Sequence, residues 1–123
     1  MKDKPKIYNQ DVLHHYQNPY NKGKLDDPDF SVTEENPNCG DRITLQLKLK
    51  GDEISKVKFD GHGCVLSIGA ASILTQMVRG LSVGEASELT LDDLVDNMGN
   101  PPKMRRNCVS LSLDALKDAL SEW

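Results

Sequence analysis

The fold of this chain is decided by one stretch, Asp60-Gly61-His62-Gly63-Cys64-Val65-Leu66-Ser67-Ile68-Gly69-Ala70-Ala71-Ser72, in which the spacing of apolar residues changes. Before it, apolar and polar residues alternate as they do in a half-buried strand. After it, apolar residues recur at the spacing of a helix face. We therefore expect a strand to end near Asp60 and the glycines to turn the chain. A long helix should then begin at Cys64.

Upstream of this stretch, the alternation predicts an antiparallel hairpin. Apolar residues take every second position from residue 43 to residue 49, and Gly51-Asp52-Glu53 supplies a tight turn. The next strand has three apolar residues, Ile54, Val57 and Phe59. A shorter first strand is expected from Phe30 to Glu34.

The chain should begin with a helix between Tyr8 and Gln17. Asn18-Pro19 should end this helix, because a residue that precedes proline disfavours the helical conformation. Its apolar or amphipathic groups have helical spacing: Tyr8, Val12, Leu13 and Tyr16.

Downstream, four helices are predicted, of which two are long. Two short ones should start at Ser82 and Thr90, since each has an acidic residue three positions later. The first long helix ends at Gly80 and carries one apolar face, Leu66, Ala70, Ile73, Leu74, Met77, Val78 and Leu81. The last helix carries another, Val109, Leu113, Leu116, Leu120 and Trp123. The prediction is an α+β two-layer domain, in which helices pack against a small three-stranded antiparallel sheet.

Size and charge exclude several classes of function. The chain has 123 residues, which suits a single domain over residues 1–123, and its net charge is −4. No basic stripe with aromatic residues is present, which argues against nucleic-acid binding. No apolar run approaches the roughly 20 residues of a membrane span, and no apolar signal-peptide core follows the N-terminal charges. We expect a cytoplasmic protein, as a monomer or a homo-oligomer.

The three cysteines are the candidate functional residues. Cys39 and Cys64 are 25 positions apart (64 − 39), and Cys64 and Cys108 are 44 apart (108 − 64). Taken singly, a cysteine in a reducing compartment is more often a small buried hydrophobe than a ligand. However, each of these has a turn former or a helix start beside it. No C-x-x-C pair is present, so zinc-finger and thioredoxin sites lose their main support. We interpret the three as one metal or sulfur site.

The chemistry of these positions agrees with that interpretation. A thiolate is favoured at a helix N-terminus, where Cys64 and Cys108 are expected. Cys39-Gly40-Asp41 can present a sulfur and a carboxylate to one ion, although Asp41 could also only cap a strand. Three sulfurs and one oxygen would complete a tetrahedral zinc site or hold a [2Fe–2S] cluster. His62, two residues before Cys64, is an alternative ligand.

Four motifs in this order resemble the U-type iron–sulfur cluster assembly scaffolds, the family of IscU, SufU and the NifU N-terminal domain. They are His15-Tyr16-Gln17-Asn18-Pro19-Tyr20-Asn21-Lys22-Gly23, Asn36-Pro37-Asn38-Cys39-Gly40-Asp41, Gly61-His62-Gly63-Cys64 and Arg105-Arg106-Asn107-Cys108. The resemblance covers nearly the whole chain. It implies the SufE/IscU-like two-layer fold and a cluster or zinc site made of Cys39, Asp41, Cys64 and Cys108.

The resemblance also implies a function. Such a scaffold accepts sulfur from a cysteine desulfurase, binds iron, builds a transient [2Fe–2S] cluster and passes it to apo-proteins, without turnover of its own. By resemblance, Cys108 accepts the persulfide and Asp41 makes the cluster labile. The alternative within the family is a zinc-dependent sulfurtransferase, as in some SUF-type members.

Two departures separate this chain from the subtypes. ISC-type members carry a histidine before the last cysteine, where this chain has Asn107, and a Leu-Pro-Pro-Val-Lys loop that an Hsp70-type chaperone reads. Here the loop is Asn100-Pro101-Pro102-Lys103-Met104, so the resemblance does not carry chaperone recognition over. SUF-type members have an insertion of about 20 residues between the second and third cysteines, which is absent here.

Overall fold

A computed structural model describes residues 10–37, 40–99 and 106–123 of the chain. The order of elements is α1 (Gln10–Gln17), β1 (Phe30–Asn36), β2 (Asp41–Lys50), β3 (Glu53–His62), α2 (Val65–Val78), α3 (Val83–Ser87), α4 (Leu91–Asp96) and α5 (Arg106–Leu120). The strands form one antiparallel sheet in the order β1-β2-β3. This confirms the predicted α+β class and the order of its elements.

The sheet buries one face under the two long helices. Ile43, Leu45 and Leu47 of β2 are fully buried, and α5 packs on β1 and β2 while α2 packs on β3. In β3 the buried residues Ile54 and Val57 are three apart, because a bulge opposite Lys48 and Leu49 inserts one residue and resets the alternation. The hairpin is therefore as predicted, and the bulge explains its irregular second strand.

The stretch around residue 61 differs from its prediction. The strand does not end near Asp60, because Gly61 pairs with Ile43 and His62 pairs with Arg42 within β3. Gly61 has a φ of +139°, and a Cβ there would collide with the Arg42 carbonyl oxygen. Glycine at position 61 thus allows β2 and β3 to approach each other closely. The chain then continues to Cys64, which is the N-cap of α2.

The helices confirm some expectations and correct others. Ser82 and Thr90 cap α3 and α4, and each forms a complete capping box. The single apolar face predicted for the first long helix is wrong, since eleven of the fourteen α2 residues are buried. Leu81 lies beyond that helix, which ends at Val78. No helix in the described part of the chain is both long and apolar enough to cross a bilayer.

Both termini of the described chain also depart from the expected helix faces. Of the predicted α1 positions that the structure describes, Val12 enters the core at 1% exposure, whereas Leu13 and Tyr16 are each 40% exposed. The predicted position Tyr8 lies outside the described residues. Trp123 is 61% exposed and follows the end of α5, so it is not part of that helix's buried face. The other four predicted α5 residues are buried.

Candidate metal centre

Three side chains from three separate elements meet at one end of the sheet. Asp41 is the first residue of β2, Cys64 is the N-cap of α2, and Cys108 lies in the first turn of α5. One carboxylate oxygen and the two Sγ atoms all lie within 4.8 Å of one another. Sulfur ligands on a tetrahedral zinc ion lie about 3.8 Å apart. The spacing of these three ligand atoms therefore fits a shared metal ion or cluster.

Asp41 is the buried charge of this centre. It is 4% exposed, and the Ser67 hydroxyl donates a short hydrogen bond to its Oδ2. Carboxylates are rarely buried to this extent without a partner, because desolvation of the charged form costs free energy. Among the described residues, Ser67 is the side-chain donor to this carboxylate, and one hydroxyl leaves most of its acceptor capacity available to a metal ion.

Ser67 connects all three candidate ligands, and the sequence interpretation missed it. Besides Asp41, its Oγ lies 3.6 Å from Cys64 Sγ and 3.3 Å from the Cys108 carbonyl oxygen. A serine hydroxyl has one proton to donate, and the charged carboxylate makes the stronger bond. The spacing could have revealed it, since residues three apart share a helix face and Ser67 follows Cys64 by three.

Gly63 makes the approach of these groups possible. A Cβ at this position would lie 3.0 Å from Asp41 Cγ and 3.0 Å from Ser67 Cβ. Any other residue here would push the carboxylate and the serine apart. The requirement for Gly63 is therefore one of space at the centre.

The two cysteines differ in exposure. Cys64 is half-buried, whereas Cys108 is 3% exposed. The Cys64 side chain makes no capping hydrogen bond, and the first turn of α2 has no acidic residue. The first N–H groups of that helix therefore favour negative charge at the centre.

The other positions considered in the sequence are Cys39, His62 and Asn107. Cys39 lies outside the described residues, between Pro37 and Gly40, which are both described. His62 is exposed, and it is not in the group formed by Asp41 and the two cysteines. Asn107, where ISC-type members have histidine, is exposed on α5. The structure thus brings together three of the four residues expected from the resemblance.

Known proteins are similar to this chain in sequence and in fold. "Iron-sulfur cluster assembly scaffold protein IscU 1" of Archaeoglobus fulgidus is 37% identical over 117 residues, which cover 95% of this chain and 76% of that protein. "Zinc-dependent sulfurtransferase SufU" of Bacillus subtilis is 43% identical over 84 residues, 68% of this chain and 56% of that protein. The crystal structure of FiSufU from Fervidobacterium islandicum AW-1 has the same fold, with a TM-score of 0.80 at 24% identity over 93% of this chain and 96% of that one.

The match to a protein family covers nearly the whole chain. Residues 7–123 match the family described as the NifU-like N terminal domain. The matched range contains every element of the described fold, and all three cysteines with Asp41 fall within it. The chain therefore belongs to the NifU-like N-terminal domain family.

Proposed function

We propose that this chain is an iron–sulfur cluster assembly scaffold. In this role residues 1–123 act as one domain that accepts sulfur from a cysteine desulfurase, binds iron, builds a transient [2Fe–2S] cluster and passes it to recipient apo-proteins. The observation that carries the proposal is the convergence of Asp41, Cys64 and Cys108 within 4.8 Å. The scaffold names of relatives that cover 95% of the chain support it.

The proposed ligand set is Cys39, Asp41, Cys64 and Cys108. Cys39 precedes Asp41 by two positions, and two residues of chain span at most about 7 Å. Thiolates suit iron–sulfur clusters and zinc, while a carboxylate is a harder ligand that prefers harder ions. A mixed set should therefore hold a cluster less firmly than four cysteines would, and this favours transfer over storage.

Ser67 orients the carboxylate in this proposal. The hydroxyl donates a hydrogen bond to Asp41 Oδ2. This bond engages one carboxylate oxygen and leaves the other available to a metal ion. Because Ser67 also lies beside Cys64 Sγ, loss of its hydroxyl would disturb two proposed ligands at once.

Cys108 is the proposed sulfur acceptor. Its thiolate attacks the terminal sulfur of the desulfurase persulfide, a new S–S bond forms at Cys108, and the desulfurase cysteine leaves as a thiolate. At 3% exposure Cys108 is closed to a partner, so the first turn of α5 must move during transfer. The half-buried Cys64 is the more accessible thiol, and serine variants of the two cysteines distinguish which of them accepts sulfur.

A zinc-dependent sulfurtransferase is the second candidate function. The relative with that name is 43% identical over 68% of this chain. Three cysteines and one carboxylate also match the donors that zinc takes in proteins. Zinc would hold the thiolates until the desulfurase displaces a ligand. Both functions need reduced thiols, so we place the protein in a reducing compartment, the cytoplasm.

Anaerobic reconstitution tests the choice. The full chain is incubated with ferrous iron, cysteine, a cysteine desulfurase and a thiol reductant, which supplies the electrons that turn persulfide sulfur into sulfide. Absorption, iron, zinc, sulfide and the release of alanine by the desulfurase are measured. About two irons and two sulfides per chain, transferable to an apo-ferredoxin, support the scaffold. One tightly held zinc with accelerated desulfurase turnover and no cluster contradicts it and supports the sulfurtransferase.

The cysteine variants identify the acceptor. Cys108→Ser should abolish persulfide formation on the chain, measured by mass spectrometry after desulfurase turnover without iron. Cys64→Ser is the matched variant, because it removes the more exposed thiol and should still accept sulfur. The opposite result would assign the acceptor to Cys64.

A further inference from the structure

A basic pocket lies at the opposite end of α2 from the metal centre. Its volume is about 470 Å³, within the range of small-molecule sites. Arg79, which caps the C-terminus of α2, is one of its lining residues. Since Cys64 caps the other end, fifteen residues earlier, the two cap residues are about 22 Å apart along the helix.

The charge of this pocket is opposite to that of the chain. Five cationic and two acidic residues line it, a balance of +3 (5 − 2), while the whole chain carries −4. The cationic residues are Lys24, Lys48, Lys56, Lys58 and Arg79. Of these, Lys48 pairs with Asp27 at 3.4 Å and with Asp29 at 3.9 Å. Among the described residues, no carboxylate lies within ion-pair distance of the other four.

The wall of the pocket includes an open part of the β3 edge. Asn21 and Gly23 bond to Phe59, where Phe59 N donates to Asn21 O at 3.0 Å and Gly23 N donates to Phe59 O at 2.8 Å. At the other end of β3, Gly80 N donates to Ile54 O and Ile54 N donates to Leu81 O, each at 2.8 Å. Between these two anchors the edge of the sheet has no neighbouring strand in the described structure.

Val57 lies in that gap and lines the pocket, although only 2% of the residue is exposed. In an antiparallel pair, residues two apart direct their main-chain polar groups to the same side, and the pairing with β2 is regular from Val57 to His62. The N–H and the C=O of Val57 thus point to the same edge as those of Phe59. The charge that favours an anion therefore comes from the cationic side chains.

The walls are held in place before any ligand binds. Asn21 has a φ of +60°, and its Nδ2 donates to the buried Thr75 Oγ1 at 3.0 Å. Leu25 N donates to Gln46 Oε1 at 2.7 Å, which fixes the loop over the outer face of the sheet. This loop contains the end of the motif from His15 to Gly23, which contributes no residue to the metal centre. A preformed pocket loses less entropy when it binds a ligand.

We propose that this pocket binds a compact polyanion, a small molecule that carries phosphate groups or several carboxylates. The four cationic residues without a carboxylate partner supply charge-assisted hydrogen bonds from the loop, from β3 and from the end of α2. The proposal is independent of cluster assembly, because no pocket residue belongs to the metal centre.

The test is a titration of the ¹⁵N-labelled full chain with sodium pyrophosphate and, separately, sodium citrate at low ionic strength. We expect saturable shifts at the amides of Gly23, Val57 and Arg79. Lys58→Gln should weaken binding about tenfold, the loss of one charge-assisted contact. Saturation with pyrophosphate alone identifies a phosphate ligand, and saturation with citrate alone identifies a polycarboxylate.

Lys50→Gln is the matched control, because it removes the same charge from a lysine of β2 outside the pocket. It should leave the affinity within about twofold. Equal weakening by both variants, shifts spread over the surface, or no saturation at millimolar concentration would overturn the proposal. Lys58→Arg, which keeps the charge, should retain binding.

Discussion

The two long helices, α2 and α5, pack against the same sheet and against each other, yet they are built differently. Eleven of the fourteen α2 residues are buried, among them three hydroxyl residues, and all three have hydrogen-bond partners: Ser67, Ser72 and Thr75. In contrast, α5 keeps an exposed polar side and buries one hydroxyl, Ser112, without a partner in the described structure. The buried hydroxyls of α2 thus take part in hydrogen bonds at the metal centre, through Ser67, and beside the basic pocket, through Thr75.

Ser67→Ala should have the largest effect of the substitutions that compare these helices. It removes the donor to the buried Asp41 carboxylate, and a hydrogen bond to a charged group contributes about 1.5–3 kcal/mol. We expect the free energy of unfolding of the metal-free chain to fall by that amount in urea denaturation. Zinc affinity should also fall, measured by competition with a chelator.

Thr75→Val is the matched control at the other end of α2. Thr75 Oγ1 accepts from Asn21 Nδ2 at 3.0 Å and donates to the Ser72 carbonyl at 2.7 Å. The variant should lower stability by about 1–2 kcal/mol and leave zinc affinity unchanged. If Ser67→Ala changed stability alone, as Thr75→Val should, Ser67 would have no part in the metal centre.

Ser112→Ala should have a smaller effect of the opposite sign. Its hydroxyl is buried without a hydrogen-bond partner in the described structure, and this arrangement costs free energy that alanine avoids. Alanine also has the higher helix propensity. We expect the urea midpoint to rise by the equivalent of about 0.5–1 kcal/mol. A lower midpoint would mean that the hydroxyl has a partner in solution.

Glu34→Gln should have the smallest effect, and it depends on pH. A hydrogen bond with Asp118, burial, and the charges of Asp118 and Asp114 raise the pKa of Glu34 to about 7. The folded chain therefore holds a proton between pH 4.5 and 7 that the unfolded chain has released. This stabilises the fold fully below pH 4.5, and the stabilisation is lost as the pH rises through 7.

Glutamine keeps a donor without the charge, so the variant should be the more stable protein at pH 8 and equal near pH 4. Because Glu34 is only half-buried and solvent screens part of the interaction, we expect a rise in Tm of about 1–2 °C at pH 8. Added salt should reduce the difference. An equal rise at both pH values would contradict the linkage.

The periodicity of the sequence predicted α5 better than α2, for a physical reason. In the described part of α5 the polar residues other than Ser112 lie on one side that solvent reaches, so the apolar positions identify the buried face. In α2 small residues fill the other positions, and Gly69 lets α1 approach closely, since a Cβ there would lie 2.9 Å from Val12 Cγ1. Small residues do not show whether a helix position faces solvent or a neighbouring backbone.

The sequence identified the candidate ligands of the proposed metal centre but did not identify Ser67, which supports them. The type and position of Cys64, Cys108 and Asp41 are visible in the chain, because turn formers and helix starts mark them. The role of Ser67 depends on the contact of α2 with β2 and α5, which only the tertiary structure supplies. The same holds for the basic pocket, whose lysines are scattered along the sequence.

X-ray absorption at the zinc edge of the zinc-loaded full chain tests the proposed ligand set most directly. We expect three sulfur ligands at about 2.3 Å and one oxygen at about 2.0–2.2 Å, without scattering from an imidazole. The three sulfurs would be those of Cys39, Cys64 and Cys108, and the oxygen that of Asp41. Fewer than three sulfurs, or an imidazole from His62 in place of the oxygen, would contradict the proposed centre.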